Sequence, residues 1–423
     1  MIIKIVYNTL FYITMAYTTY FTIMTIIGLF KKRRKIINEN TINHSFAILI
    51  PARNEEKVIN NILDSLNNLN YPKNKYTIYV IPNNCTDNTK IIAKEHDVKI
   101  LDCSINPKTK ADVLRFAFNK LKNNQKIDAY IIFDADNVVH PDFLINMNNC
   151  LNSGYNVAQG YRNAKNPSDS KISGSYTLFY LLQNTFFNYS RFNLNLSPSI
   201  NGTGFMIKKT FIEKFGFDTK SLTEDVEFTG LCTLSNEKIA YVENAITYDE
   251  YPNKFIPSWH QRKRWSSGML TCTKLYTSKL LKNFVKTGNI SSLDIWLMFI
   301  SPIIQVLSFI NFLIIIIVEM TNKSILNSNF IISSAITIII SYIIIIISEL
   351  FVIYLKKERP AKMISGILFF PIFLISWIPI NIACLIKRET EWKIIHHNRN
   401  IKINDILKWS IFITSFLCYN YLK

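Results

Sequence analysis

The chain has 423 residues, a formal net charge of +18, 13% aromatic and only 18% charged residues. That length holds one α/β domain plus several membrane spans, and isoleucines gathered in blocks indicate a membrane protein rather than a soluble one. The positive charge suits a basic cytoplasmic membrane face or a polyphosphate-bearing substrate; nucleic acid is not expected as a partner, because no basic stripe is interleaved with aromatics. The seven cysteines form no CxxC pair, so neither a zinc site nor a disulfide framework is expected.

Residues 1–30 carry one charged side chain, Lys4, and are long enough to cross a bilayer. The basic run 31–35 follows, within a linker over 31–45. By the positive-inside rule it lies in the cytoplasm and the N-terminus outside. A cleavable signal peptide would carry its charge before the apolar run, so an uncleaved anchor is expected.

From residue 46 the pattern alternates. Apolar runs at 46–50, 76–81, 98–101 and 130–133 are separated by helical patterns at 55–69, 88–96 and 109–122. This spacing predicts βαβ units and a parallel sheet, with ligands beyond the carboxyl ends of the strands. The domain is expected over 46–255, followed by an interfacial helix region over 256–292. Spans are expected at 293–318 and 330–355, with a lysine-poor loop outside and a basic loop inside. A third full span at 363–386 would put a Lys/Arg-rich segment outside. That stretch, with Pro371 and Pro379, therefore reads as an interfacial or re-entrant helix. A cytosolic loop over 387–404 and a marginal span or amphipathic helix over 405–423 end the chain. Glu349 reads as an interfacial residue near a span end.

Three constellations can carry chemistry. Asp134 and Asp136 form a D-x-D at a strand end, where two carboxylates can share Mg²⁺ or Mn²⁺ and leave coordination sites for phosphates; a solvated turn is the plainer alternative. Thr223-Glu224-Asp225 opens an apolar-periodic run. It reads either as a capped helix start or as the seat of a general base, Asp225. Gln261, Arg264 and Trp265 share one helix face. The arginine can neutralise a diphosphate and the tryptophan can stack on a sugar ring, while Arg262 and Lys263 would face lipid headgroups.

D-x-D, T-E-D and Q-x-x-R-W in this order, followed by membrane helices, resemble the membrane-embedded family-2 glycosyltransferases, the group of the cellulose, chitin, hyaluronan and poly-N-acetylglucosamine synthases. The resemblance covers roughly residues 45–400. It implies an α/β GT-A domain with an N-terminal transmembrane helix and C-terminal transmembrane or interfacial helices. It further implies transfer of a sugar, N-acetylglucosamine first, from a UDP-sugar to a growing polysaccharide, or by single addition to a lipid-linked acceptor. A non-enzymatic nucleotide-sugar-binding regulator is the alternative of another class. Residue by residue, it implies a nucleotide-sugar site at Pro51, Arg53, Glu55, Asn83, Asp87, Lys110 and Asp134. Asp136 with Asp134 would hold the metal, and Asp225 would be the base. Glu224, Gly202, Thr203, Gly204, Gln261, Arg264 and Trp265 would serve acceptor and diphosphate. Trp392 would lie in a loop closing the nucleotide site. Asn83 departs from the pattern, because many relatives carry aspartate there to accept the uracil imide N–H.

Overall fold

The first 30 residues form one helix, α1 (Ile2–Phe30), in the computed structural model, which describes residues 2–32, 34, 36, 42–321, 328–389, 399, 401 and 403. The α/β domain follows as β1 (Phe46–Ala52), α2 (Ile59–Asn67), β2 (Tyr76–Pro82), α3 (Thr89–Lys94), β3 (Lys99–Ile100), α4 (Lys110–Leu121), β4 (Ala129–Ile132) and β5 (Val138–Val139). It continues as α5 (Phe143–Asn152), β6 (Val157–Ala164), α6 (Lys171–Leu182), α7 (Ser190–Asn193), β7 (Phe205–Lys208), α8 (Lys209–Phe215), α9 (Glu224–Leu234) and β8 (Ile239–Asp249). A π-helical stretch, Gln183–Tyr189, joins α6 to α7.

The strands make one eight-stranded sheet in the order β3-β2-β1-β4-β7-β6-β8-β5. β1 lies parallel to β2 and β4, whereas β7 runs antiparallel to β4 and to β6. β1 and β4 are buried on both faces, which is why their sequences read as unbroken apolar runs rather than alternations. One core packs α2, α5 and α6 against the sheet; the other packs α4, α8 and α9 against its opposite face. The four expected strands and three expected helices all form, the helices trimmed at their ends. α4 begins where its sequence says it should. Thr109 caps it, its hydroxyl accepting from the Asp112 amide while the Asp112 carboxylate accepts from the Thr109 amide at 2.9 Å.

After the sheet come α10 (Phe255–Thr287), α11 (Ile290–Phe299), α12 (Ser301–Thr321), α13 (Ser328–Leu355), α14 (Ile364–Ile375) and α15 (Trp377–Ile386). Four stretches among the described residues are long and apolar enough to cross a membrane: 3–30, 301–321, 331–355 and 364–386.

The expected span at 293–318 is split. Pro302 lacks an N–H for the helical ladder, and Asp294 is fully buried in an ion pair with Arg191 at 3.3 Å, so α11 packs under α9 and α10. The apolar, membrane-length piece starts at Ser301. The stretch 363–386 is likewise two helices, broken at Ser376; α14 packs on α6, and α15 on α10. Glu349 on α13 is buried, and among the described residues its carboxylate has no hydrogen-bond partner. The segment 405–423 lies outside the described residues.

Candidate active site

The carboxyl ends of β1, β2 and β4 meet the starts of α4, α9 and α10 around a cleft of about 920 Å³. Pro51 lies near the end of β1, Arg53 and Glu55 follow it, and Asn83 follows β2. Asp134 and Asp136 follow β4, and Lys110 opens α4. All of them line the cleft, together with Gly202, Glu224, Asp225, Gln261, Arg264 and Trp265.

Lys110 joins the two acidic motifs. Its ammonium pairs with Asp134, donates to the Gly202 carbonyl at 2.7 Å and lies 3.7 Å from Glu224. Burial lowers its pKa, but Asp134, Glu224 and Asp225 outweigh that and hold the group above its ordinary value. The D-x-D backbone is fixed from below: the Asp134 amide donates to Thr203 Oγ1 at 3.0 Å and to Asn137 Oδ1 at 3.2 Å. Among the described residues no three His, Cys, Asp or Glu side chains stand close enough to hold a metal by themselves. Two carboxylates facing a cleft fit Mg²⁺ or Mn²⁺, which bind through one or two carboxylates and complete their shells with substrate phosphates.

Glu224 and Asp225 open α9 as expected, but Thr223 does not cap it with its side chain. Instead Thr223 packs against Gly268 of α10, where a Cβ would stand 2.1 Å from Thr223 Oγ1. Arg264 donates to the Leu222 carbonyl at 3.0 Å, so α10 and the acidic motif are clamped together. Gly268→Leu is expected to separate them, destabilising the protein by roughly 1–3 kcal/mol through overpacking and lowering transfer; thermal unfolding of detergent-solubilised protein and a transfer assay check both. Opposite, Gly202 adopts φ +82°, and a Cβ there would meet Asp225 Oδ2 at 3.2 Å, so this loop needs glycine to lie beneath the carboxylate.

Both carboxyls are harder to ionise than usual. Burial raises Glu224 to about 7, with Asp225 adding to the effect and Lys110 and Arg264 opposing it. Burial also raises Asp225, against its backbone hydrogen bond, Lys110 and Arg264. A base must be deprotonated to act, so the acid limb of kcat/KM is expected above the ordinary aspartate range. Glu224→Gln, which removes a neighbouring negative charge, should move that limb to lower pH; a pH–rate profile of the two proteins measures the shift.

Trp265 is less open than expected. Its ring stacks at 6.3 Å on Phe179 and at 6.2 Å on Trp377, with Tyr176 and Tyr180 edge-on. It therefore belongs to an aromatic wall. Gln261 Oε1 is buried with no partner among the described residues, an acceptor left for a ligand's hydroxyl or N–H. Beyond this wall the cleft continues between Phe21 and Thr25 of α1, Gln305 and Ser308 of α12, and Leu374 and Ile378 around the broken helix.

Several expected residues act from behind. Asp87 does not line the cleft; it accepts from Thr89 and from the Glu56 amide, fastening the β1 and β2 loops to each other. Thr203 supports the D-x-D, and Gly204 links β4 to β6 through its backbone. Asn83 Nδ2 donates to the Ala52 carbonyl at 3.1 Å, a bond an aspartate could not make, which leaves Oδ1 as its acceptor. Arg262 does not face headgroups: it is fully buried, and Lys263 pairs with Glu389 at 2.8 Å. Trp392 lies outside the described residues. Sequence reasoning missed Arg162, which lines the cleft, pairs with Asp249 and donates to the Asn201 carbonyl at 2.7 Å. Its only sequence signal is an arginine on a strand that otherwise reads as buried.

Comparison with known proteins gives the same picture. The family model described as "Glycosyltransferase like family 2" matches residues 44–268, more than half of the chain. The beta-monoglucosyldiacylglycerol synthase of Nostoc sp. is 26% identical over 247 residues, 57% of this chain and 52% of that protein. The poly-beta-1,6-N-acetyl-D-glucosamine synthase of Staphylococcus epidermidis is 24% identical over 298 residues, 68% of this chain and 69% of that one. The chain spans about half the length of the first curated relatives it matches. Among solved structures, the mannosyltransferase PcManGT from Pyrobaculum calidifontis, in complex with GDP-Man and Mn²⁺, superposes with a TM-score of 0.60 at 12% identity, over 91% of this chain and 99% of that one, which is a likeness of fold. With the matched region running from the first strand through the Gln261–Trp265 motif of α10, the chain belongs to glycosyltransferase family 2, and apolar helices flank its GT-A domain.

Proposed function

We propose that this enzyme transfers a sugar, N-acetylglucosamine first, from a UDP-sugar to an acceptor hydroxyl with inversion, at the cytoplasmic face of the cell membrane and with the N-terminus outside. The observation that carries the reading is the placement of Asp225. It is a half-buried carboxyl with a raised pKa, facing a cleft whose other side is built from the D-x-D strand end and Lys110. Asp225 takes the proton of the acceptor hydroxyl as that oxygen forms its bond to the anomeric carbon. The bond from that carbon to the diphosphate oxygen breaks on the opposite face, and UDP leaves with the electron pair. Lys110 and Arg264 stand where the leaving charge develops. Asp136 with Asp134 would hold a Mg²⁺ or Mn²⁺ ion, which when bound neutralises diphosphate charge. Asn83 Oδ1 would accept the uracil imide N–H.

A growing polysaccharide is the first acceptor to test, in keeping with the Staphylococcus relative. Single addition to a lipid-linked acceptor is the second reading, favoured by the extension of the cleft between α1, α12 and the broken helix. Membrane vesicles supplied with a panel of UDP-sugars and Mn²⁺ decide: one sugar should yield UDP, and the length of the labelled product separates polymer from single addition. UDP release from none of them would remove the reading.

A further inference from the structure

The Gln261, Arg264 and Trp265 side chains of α10 face the cleft, whereas Arg262 between them binds the broken helix, and Lys263 and Ser266 bind Glu389 and Asn381 beside it. Arg262 is the centre of that contact. Its guanidinium is fully buried, and Nη1 donates to the Phe373 carbonyl at 3.1 Å and to Ser376 Oγ at 2.6 Å. Ser376 Oγ in turn donates to the same carbonyl. The guanidinium carbon lies 4.3 Å from the Phe373 ring centroid and 5.5 Å from that of Trp377. A helix interrupted at Ser376, with Pro371 and Pro379 on either side, has carbonyls whose intrahelical donors are missing. In an apolar setting such a break survives only where protein supplies the donors, and here Arg262 and the Ser376 hydroxyl supply them to the Phe373 carbonyl. The neighbouring contacts continue the seam. Lys263 pairs with Glu389, and Ser266 donates to Asn381 at 2.5 Å, whose amide donates to Gln305 of α12 at 2.9 Å. The far side of the break, Leu374, Trp377 and Ile378, is the wall of the cleft, and Trp377 stacks on Trp265.

We propose that Arg262 is a positioning residue for the acceptor end of the site: by completing the broken helix it fixes the Trp377 wall against Trp265, while the donor end is built from other elements. The proposal rests on the glycosyl-transfer reading for its kinetic consequence, though not for its structural one.

The test compares wild type, Arg262→Met, Arg262→Lys and Ser376→Ala as full-length protein in membrane vesicles. Three measurements are made: UDP binding with Mn²⁺, transfer kinetics with the active UDP-sugar, and the rate of tryptic cleavage after the exposed Lys387 and Arg388. Arg262→Met should leave UDP affinity within about twofold, raise the acceptor KM about tenfold or more, as expected for losing a charged hydrogen bond, and accelerate cleavage several-fold. Arg262→Lys, which keeps the charge but not the fork, should fall between, as should Ser376→Ala. Unchanged acceptor KM in Arg262→Met overturns the proposal, and so does a parallel loss of UDP binding, which would mark a general folding role. If wild type transfers no sugar, the functional reading fails, and the cleavage rates still decide whether Arg262 holds the wall.

Discussion

Asp225→Asn should bind UDP as tightly as the wild type, within about twofold, and transfer sugar about 10²–10⁴-fold more slowly, the range that a general base contributes. The change is nearly isosteric. Asp225 accepts from the Val226 amide at its own helix start, and its carboxylate lies over Gly202. An asparagine there fills the same space but cannot take the proton. Nucleotide binding should be spared because the proposed uridine contacts, Pro51, Arg53 and Asn83, come from β1 and β2 and not from α9. Isothermal titration with UDP and Mn²⁺, set beside UDP-release kinetics, reads both halves. Wild-type turnover in this variant would remove Asp225 from the chemistry, and Glu224, the neighbouring carboxyl raised to about 7, would become the base to test.

Lys110→Met is expected to be as damaging, with a different signature. The ammonium pairs with Asp134, contacts Glu224 and carries the Gly202 carbonyl that fixes the floor under Asp225. Its removal leaves Glu224 and Asp225 to Arg264 and takes the cation from Asp134, at a cost below the about 3–5 kcal/mol of breaking a fully buried pair, because the Asp134 side chain is about a third exposed. Lys110 lowers the pKa of both Glu224 and Asp225, so its loss raises both and moves the acid limb of the pH–rate profile upward. Glu224→Gln moves it downward. Opposite displacements from two neighbouring substitutions would tie the profile to this cluster. Donor KM should rise about a hundredfold through the lost diphosphate charge, and Lys110→Arg should recover part of it. A Lys110→Met enzyme with unaltered donor KM and pH profile would show that the ammonium serves the fold alone.

Much of this was legible before any coordinate. Strands that read as unbroken apolar runs were buried on both faces, as parallel strands with helices on either side must be, and Thr109 and Asp112 marked the start of α4 by complementary capping chemistry. The motifs were legible because each is local. A D-x-D at a strand end, an acidic helix start and an i, i+3, i+4 face are set by backbone periods of two and 3.6 residues. What went astray involved partners far away in the chain. Arg262 sits in a basic run beside a membrane segment and reads as a headgroup ligand; its acceptors lie more than a hundred residues on, at Phe373 and Ser376. Asp294 lies at the edge of an apolar run and reads as part of a span, until Arg191 claims it. Asp87 reads as a nucleotide contact, yet its Oδ2 accepts from the Glu56 amide, 31 residues back along the chain.

By itself, then, the sequence determined the strand and helix order, the membrane-length apolar segments and which residues have the chemistry for metal, base and diphosphate, because those follow from local period, hydropathy and side-chain type. Only the tertiary structure decided that Lys110 stands between the two acidic motifs, that Arg162 enters the cleft, that Trp265 is one ring in a wall and that the helix over 364–386 is broken and held from α10. Those facts depend on charges and rings meeting across 24 residues of chain for Lys110 and Asp134 and 114 for Arg262 and Ser376, and low-dielectric burial, which makes such meetings strong or costly, exists only once the fold has closed around them.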